Sequence, residues 1–358
     1  MASNQKISCL MTLVARYLKL SCLWQTTLFA SWRSVFLLVI VVLNGCSNKP
    51  EVLTISGTKM GTTYHITIIA DQLPPDDLEQ QIEQLLSKVD NSMSTYKKDS
   101  EISQFNRLSV GKTMTISNEF LEVVKISQKI WQLSNGAFDP TIGPLVDLWG
   151  FGPGERHDSI PSAKAIVQTK AQIGFDSVVL EENNLSKTKP VALDLSAVAK
   201  GYAVDRVANL LEMLALPDYL VEIGGEIRVS GFNADGIAWR IAMEQPRLFT
   251  EVDQVISITD IAVATSGDYR NYFERDGVRY SHTIDPKTGM PIDHNLASVT
   301  VLSESCAVAD AWATAFSVMG AEKSLELAEQ LDLTAYMLVR ENGAFVSKNS
   351  SSFNFFVD

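Results

Sequence analysis

Apolar side chains follow helical and strand spacings in the first half of the folded sequence. Between positions 78 and 93 they return every three or four residues, which predicts an amphipathic helix with one buried face. That face consists of Leu78, Ile82, Leu85, Leu86, Val89 and Met93. Short runs rich in β-branched residues predict strands at 52–55 and 64–69. Asn118 has the position of an N-cap for a second helix, which should end near Gly136.

The second half of the chain mixes strands and helices without a regular period. Helices are predicted at 198–214, 305–319 and 324–331. The predicted strands are 191–195, 219–223, 226–229, 262–265, 279–284, 297–301, 334–339 and 345–347. Because these clusters do not alternate strictly, they predict an α+β fold of mixed strand clusters with packed helices, and not a doubly wound parallel sheet.

The first 45 residues differ in character from the rest. They hold four basic residues and no acidic ones, and end in an apolar run at 35–43. This run is short for a membrane span but suits the core of a signal peptide. The Leu-Asn-Gly-Cys sequence that ends at Cys46 resembles the lipobox of bacterial lipoproteins, whose cysteine is lipidated. A plain N-terminal anchor helix is the alternative, and either one places the folded part outside the cytoplasm.

Three regions are therefore expected along the chain. Residues 1–45 form a targeting segment, 46–56 a polar tether, and 57–358 a single catalytic unit. Of the four cysteines, only Cys306 falls in the last region, so no disulfide can form there, and Cys306 is expected to be a small buried residue.

Net charge restricts the class of partner. The chain has 30 basic and 42 acidic residues, a net charge of -12. Without the four basic residues of the targeting segment the balance is 26 to 42, or -16. Such a surface repels phosphate backbones, so no nucleic-acid partner is expected.

Two segments could present polar groups to a ligand. In 136–144 two glycines and two prolines frame Asp139, which suits either a rigid ligand loop or an ordinary helix-ending turn. In 193–205 a predicted strand runs into a helix. Lys200 and the helix N-terminus could bind a phosphate, and Asp194 a sugar or base. Alternatively, Asp194 caps the helix and Lys200 is solvated.

Two further pairs are candidates for chemistry. His282 and Asp285 stand close together where a predicted strand meets a turn, a place where functional groups are often presented. Asp310 and Thr314 lie one helical turn apart, so their oxygens can converge on one small cation such as Mg²⁺. The alternative for this pair is that Thr314 bonds to its own helix and Asp310 is exposed or caps a helix.

Taken jointly, these segments resemble the ApbE family, the FAD:protein FMN transferases, from residue 60 to the C-terminus. The matching stretches are 60–64 (MGTTY), 94–103 (STYKKDSEIS), 136–144, 194–205, 222–225 (EIGG), 265–269 (TSGDY), 281–291 and 309–312 (ADAW). The resemblance implies a T-fold-like unit that uses Mg²⁺ to transfer FMN from FAD to a threonine hydroxyl of an acceptor protein, with release of AMP. The implied acceptors include subunits of membrane redox pumps.

The resemblance also implies roles for individual residues. The residues expected to contact FAD are Met60, Tyr96, Ala137, Phe138, Asp139, Asp194, Lys200 and Ile284. The implied ligands of Mg²⁺ are Asp310, Thr314 and the backbone carbonyl of Ala197. Bound there, the ion would polarise the pyrophosphate and stabilise the departing AMP, which makes Asp310 a catalytic residue. His282 is expected to accept the threonine proton, with Asp285 as the group that orients it.

Two other functions fit the same residues. A metal-dependent FAD pyrophosphatase would use water as the nucleophile and give FMN and AMP. A non-catalytic flavin-binding lipoprotein would need no metal ligands, and the Asp310–Thr314 pair argues against it. In each case a lipid on Cys46 would hold the protein at a membrane, facing the periplasm.

Overall fold

The fold is described from a computed structural model, which covers residues 51–70, 72–152, 158–244, 252–269 and 271–356. The predicted targeting segment and Cys46 lie outside these ranges. The first strand begins at Glu51, so residues 51–56 of the predicted tether are part of the folded unit. Within the described ranges, no helix is both long enough and apolar enough to cross a membrane.

Strands and helices follow one another irregularly along the chain, as the sequence predicts. The strands are β1 (Glu51–Lys59), β2 (Thr62–Ala70), β3 (Thr113–Thr115), β4 (Val178–Glu181), β5 (Asn184–Lys187), β6 (Asp218–Ile223), β7 (Glu226–Ser230), β8 (Trp239–Glu244), β9 (Val252–Ile258), β10 (Ile261–Gly267), β11 (Tyr272–Arg275), β12 (Val278–Ser281), β13 (Leu296–Ser303), β14 (Thr334–Glu341) and β15 (Ala344–Asn349). The helices are α1 (Leu78–Met93), α2 (Glu101–Arg107), α3 (Asn118–Leu133), α4 (Gly143–Leu148), α5 (Ala163–Lys170), α6 (Ser196–Met213), α7 (Cys306–Met319) and α8 (Ala321–Leu331).

An eight-stranded sheet organises the molecule. Its strand order is β1-β2-β6-β7-β10-β13-β14-β15, and every neighbouring pair is antiparallel. Three small sheets accompany it, β3-β5-β4, β8-β9 and β11-β12. An antiparallel sheet with helices packed on it confirms the predicted α+β class.

Both faces of the large sheet are covered. On one face, Tyr219 and Val221 of β6 join the main core with residues of α1, α3, α6 and α7. Leu220 points to the other face, where it packs in a second cluster with residues of β8, β9 and the C-terminal segment. Strand β13 is buried at seven of its eight positions because apolar layers lie on both of its sides.

Helices α6 and α7 pack unusually closely. Asp205 of α6 accepts hydrogen bonds from the backbone N–H groups of Cys306 (2.9 Å) and Ala307 (3.0 Å), and so caps the first turn of α7. At Gly201 a Cβ atom would lie 2.3 Å from the carbonyl oxygen of Cys306, so only glycine fits there. Cys306 is fully buried at this contact, as expected. The close packing fixes the position of the first half of α6 against the start of α7.

The structure corrects several predicted elements. Ser117, and not Asn118, caps α3, because its hydroxyl accepts the N–H of Phe120 at 3.2 Å. Residues 191–195 form no strand, since the backbone of Leu193 bonds to the Asn106 side chain instead of a neighbouring strand. The strand predicted at 279–284 ends at Ser281. The elements that were not predicted are strands β3, β4, β5, β8, β9 and β11 and the short helices α2, α4 and α5.

Candidate active site

A cavity of about 420 Å³ opens beside α6 and α7, within the size range of small-molecule sites. The turn between β6 and β7, the end of β10 and the loop before α4 complete its wall. Its lining includes Tyr96, Ala137, Phe138, Asp139, Asp194, Ala197, Lys200, His282, Ile284, Asp310 and Thr314. The structure thus gathers in one cavity every residue that the sequence predicts for the site, with the exceptions of Met60 and Asp285.

Met60 lies outside the cavity lining. It occupies the tight turn between β1 and β2 with a left-handed φ of 55°, next to Gly61 at φ 74°. Its side chain packs, partly buried, against the main core.

Helix α7 presents Asp310 and Thr314 to the cavity from positions one turn apart. Asp310 is only 6% exposed, and its Oδ2 atom accepts the backbone N–H of Gly201 at 3.1 Å. Burial raises the pKa of Asp310, and the nearby charge of Lys200 opposes that rise. The alternative of a solvent-exposed Asp310 is therefore wrong.

Lys200 forms an ion pair with Glu226 inside the same cavity, although its side chain remains 30% exposed. Burial alone would lower the pKa of Lys200, yet the charges of Asp310 and Glu226 raise it above its usual value. Burial and the charge of Asp310 raise the pKa of Glu226 to about 7. Glu226 was not predicted as a site residue, because an acidic residue at the start of a strand is ordinary. In the sequence, only the preceding pair Gly224-Gly225 indicates an unusual turn at this place.

The oxygen atoms around α6 and α7 fit a small divalent cation. Glu226 is 3% exposed, and its Oε2 atom is buried without a hydrogen-bond partner. With Asp310 it gives two buried carboxyl groups beside one lysine, and a bound cation would favour the ionised form of both. Within the described ranges no three His, Cys, Asp or Glu side chains gather as a metal cluster. The remaining donors would have to be a hydroxyl and a carbonyl.

The carbonyl of Ala197 is a suitable third donor. In a regular α-helix it would accept the N–H of Gly201, four residues later. The Gly201 N–H donates to the Asp310 carboxylate. An N–H group shared between two oxygen atoms bonds each of them more weakly, so the Ala197 carbonyl keeps the capacity to bind a cation. Ala197, Asp310 and Thr314 all line the cavity, and carbonyl, carboxylate and hydroxyl oxygens are the ligands that Mg²⁺ prefers.

The loops that carry Asp139 and Asp194 are tied together. The backbone N–H of Asp194 donates to the Pro140 carbonyl at 2.6 Å. Asp139 accepts both the hydroxyl (2.6 Å) and the N–H (2.8 Å) of Thr141, while burial raises its pKa. Asp194 accepts the N–H of Ser196 at 2.9 Å, so it also supports the start of α6. These bonds connect the two loops with each other and with the start of α6.

His282 has its orientation fixed by a backbone carbonyl. Its Nδ1 atom lies 2.9 Å from the carbonyl oxygen of Asn271. Because a carbonyl only accepts, Nδ1 carries the proton and Nε2 is the basic nitrogen. Burial lowers the pKa of His282, so the ring is neutral at neutral pH. The predicted orientation by Asp285 is wrong, because that carboxylate accepts the N–H of Lys287 in its own turn.

Apolar and aromatic side chains form the remaining wall. Phe138 and Ile284 are each 3% exposed, whereas Tyr96 is 76% exposed at the rim. A cavity with apolar and aromatic walls beside a lysine and oxygen donors is suited to a ligand with a flat ring and an anionic group. The fold and the site therefore define a nucleotide-binding α+β enzyme.

Comparison with known proteins agrees with this class. The ApbE family profile matches residues 60–337. The FAD:protein FMN transferase of Vibrio cholerae is 45% identical over 90% of this chain and 98% of its own length. The Escherichia coli protein of the same name is 38% identical over 87% of this chain and 93% of its own. The chain belongs to the ApbE family.

Solved structures match the fold as well. The flavin transferase ApbE from Vibrio cholerae has a TM-score of 0.81 at 44% identity, over 86% of this chain and all of that one. An apbe protein from Thermotoga maritima has a TM-score of 0.78 at 27% identity, with the same coverage. The family's fold is therefore retained across a wide range of sequence identity.

Proposed function

We propose that this protein transfers FMN from FAD to a side-chain hydroxyl of an acceptor protein. A threonine oxygen attacks the phosphorus of the FMN half, the bond from that phosphorus to the bridging oxygen of the pyrophosphate breaks, and AMP leaves. The relatives named above are called FAD:protein FMN transferases, which supports FAD as donor and a protein as acceptor. The observation that carries the proposal is the arrangement of Asp310, Thr314 and Lys200 in the same cavity as the aromatic wall.

Asp310, Thr314 and the Ala197 carbonyl are the residues that would hold Mg²⁺. When bound, the ion would neutralise charge on the pyrophosphate and on the departing AMP. Lys200 adds a fixed positive charge from the first turns of α6, and Glu226 holds that ammonium in place. A diphosphate is repelled by the many acidic groups of this protein, so local positive charge is needed at the site of attack.

His282 is suited to accept the proton of the attacking hydroxyl. Its Nε2 atom is the basic nitrogen, and its lowered pKa leaves it unprotonated at neutral pH. Asp139 and Asp194 would bind hydroxyl or ring N–H groups of FAD, since ionised carboxylates accept hydrogen bonds. Phe138 and Tyr96 would contact the flat rings.

Mass spectrometry of an acceptor protein tests the proposal. The protein is incubated with FAD, Mg²⁺ and the flavin-free soluble domain of a membrane redox-pump subunit. An FMN adduct on a threonine supports transfer, whereas free FMN and AMP without an adduct support hydrolysis. Unchanged FAD would support a binding protein without catalysis.

Two variants sharpen this experiment. Asp310→Ala should abolish the adduct, because it removes the carboxylate expected to bind the cation. Glu304→Ala removes an exposed acidic side chain just before α7 and should leave transfer unchanged. Equal transfer by the wild type and Asp310→Ala would refute the assignment of Asp310.

We also propose that Cys46 is lipidated and holds the folded unit at a membrane, facing the periplasm. The support is the apolar run at 35–43 and the Leu-Asn-Gly-Cys sequence. A tether would raise the effective concentration of the enzyme near membrane-bound acceptors. Radiolabelled palmitate should enter the wild type but not Cys46→Ser, and the variant should leave the membrane fraction.

A further inference from the structure

We propose that an extended segment of the acceptor protein binds in a groove beside the cavity, and this inference rests on the proposed function. The groove lies between the C-terminal end of α3, the C-terminal end of α7 and the exposed side of α8. It is called here the α7–α8 groove, and its lining includes Leu133, Ala137, Val318, Met319, Lys323 and Leu327.

The groove is continuous with the cavity. Ala137 and Val318 line both of them. Asp310, Thr314 and Val318 follow one another at intervals of four residues, so they lie along one face of α7, about 6 Å apart at each step. A polypeptide in the groove therefore lies roughly one helical turn from Thr314. A threonine side chain at its end is within reach of the place where the pyrophosphate must bind.

The chemistry of the groove fits a polypeptide better than the anionic part of a nucleotide. Its lining mixes apolar and polar side chains, and the apolar Leu133 is 41% exposed. Two basic residues, Lys287 and Lys323, are balanced by two acidic ones, Asp285 and Glu326. Because these charges cancel, the groove has no net attraction for phosphates. It can accept the backbone of an extended segment and one apolar side chain next to the reacting threonine.

The position of the groove also meets the needs of the reaction. The attacking hydroxyl belongs to a folded protein, which cannot enter a cavity of about 420 Å³. An extended segment has to reach the pyrophosphate from the surface. The α7–α8 groove supplies such a path on the same helix as Asp310 and Thr314.

A pair of double variants with equal charge changes tests the groove. Leu133→Asp with Lys323→Glu places two acidic groups on its edge, and both residues are exposed. Val110→Asp with Lys112→Glu makes the same changes at exposed positions outside the groove. The acceptor probe is the flavin-free soluble domain described above. We measure the KM for this domain, the Kd for FAD by flavin fluorescence, and thermal unfolding.

The groove variant should raise the KM for the acceptor about tenfold or more, a loss of about 1.4 kcal/mol or more of binding. Its Kd for FAD should stay within about twofold of the wild-type value. The control variant should match the wild type in the KM for the acceptor and in the Kd for FAD. An unchanged KM would overturn the proposal, as would a Kd for FAD that rises in parallel with KM. If the groove variant unfolds, Leu133→Ala with Lys323→Ala is measured by the same criteria.

A different result is expected if the protein does not transfer FMN at all. In that case neither the wild type nor the control variant forms an FMN adduct on the acceptor domain, whatever the state of the groove. That result would also withdraw the groove proposal, since no transfer reaction would remain for the groove to serve.

Discussion

The Oδ2 atom of Asp310 accepts a hydrogen bond from the backbone N–H of Gly201 at 3.1 Å, although 109 positions separate the two residues in sequence. The contact exists because Gly201 has no side chain where α6 crosses the start of α7. It links the carboxylate expected to bind the cation with the helix that carries Ala197 and Lys200. The lack of a Cβ atom at one position therefore determines the geometry of the site.

Gly201→Ala should disrupt both the fold and the reaction. The new Cβ would lie 2.3 Å from the carbonyl oxygen of Cys306 and 2.8 Å from the nitrogen of Ala307, so α6 and α7 would have to separate. We expect a loss of roughly 1–3 kcal/mol in the free energy of unfolding, typical of an overpacked core. Denaturant unfolding and the FMN-transfer assay check this. Wild-type stability with wild-type transfer would contradict it.

Asn106→Leu should weaken FAD binding even though Asn106 lies outside the cavity lining. The Asn106 side chain donates to the carbonyl of Leu193 at 2.8 Å and accepts its N–H at 2.7 Å, and so holds the residue directly before Asp194. Without these bonds the Asp194 loop loses its fixed position. We expect the Kd for FAD to rise about tenfold, the result of losing about 1.4 kcal/mol.

Ser350→Ala is the matched control for this prediction. The Ser350 hydroxyl accepts the N–H of Ala335 at 2.9 Å, a buried contact of similar kind at a distance from the cavity lining. Its loss should lower stability without changing the Kd for FAD. A similar rise in Kd for both variants would mean that general destabilisation, and not the position of Asp194, controls binding.

The pH dependence of transfer should show the lowered pKa of His282. Burial is the main cause of that shift, while the Asn271 carbonyl and the charge of Asp268 oppose it. The base is active when unprotonated, so kcat/KM should remain constant from neutral pH down to below the usual histidine value of about 6.5. It should then fall about tenfold per pH unit.

In the His282→Gln variant, kcat/KM should no longer fall at acidic pH. Its kcat should be lower than that of the wild type by a factor of roughly 10² to 10⁴, the usual contribution of a general base. Rates measured between pH 5 and 8 check both statements. An unchanged profile in the variant would show that His282 only shapes the cavity.

Tyr96→Ala should weaken FAD binding without lowering stability. The side chain is 76% exposed at the rim of the cavity, so its removal costs little packing energy. Loss of a ring contact with a flat ligand is worth about 0.5–1.5 kcal/mol, or roughly a 2- to 13-fold rise in Kd. Tyr96→Phe should retain wild-type affinity. Flavin fluorescence and thermal unfolding measure the two effects separately.

Local sequence patterns predicted much of the fold. The helix α1 begins and ends at the predicted residues 78 and 93 because its apolar spacing extends over four turns. The 191–195 segment has an equally apolar sequence but no strand partner. Its backbone bonds to Asn106, 87 positions earlier than Leu193, and no local pattern indicates such a partner.

The candidate site divides in the same way. The Asp310–Thr314 pair could be found from sequence because helical spacing places both residues on one face of α7. The pairing of Lys200 with buried Glu226 could not be found from sequence. The same holds for the Asn271 carbonyl that orients His282. Asp285 was preferred for that role because it is close to His282 in sequence.

The sequence by itself determined the strands of the large sheet, the longer helices and the residue types available for catalysis, because these depend on short-range periodicity and chemistry. Only the tertiary structure decided which of those residues share a buried environment. Burial and the charges of Asp310 and Glu226 alter the pKa of Lys200, and these groups come from three separate elements. Packing between α6, α7 and the sheet brings them together, and that packing depends on contacts between residues far apart in the chain.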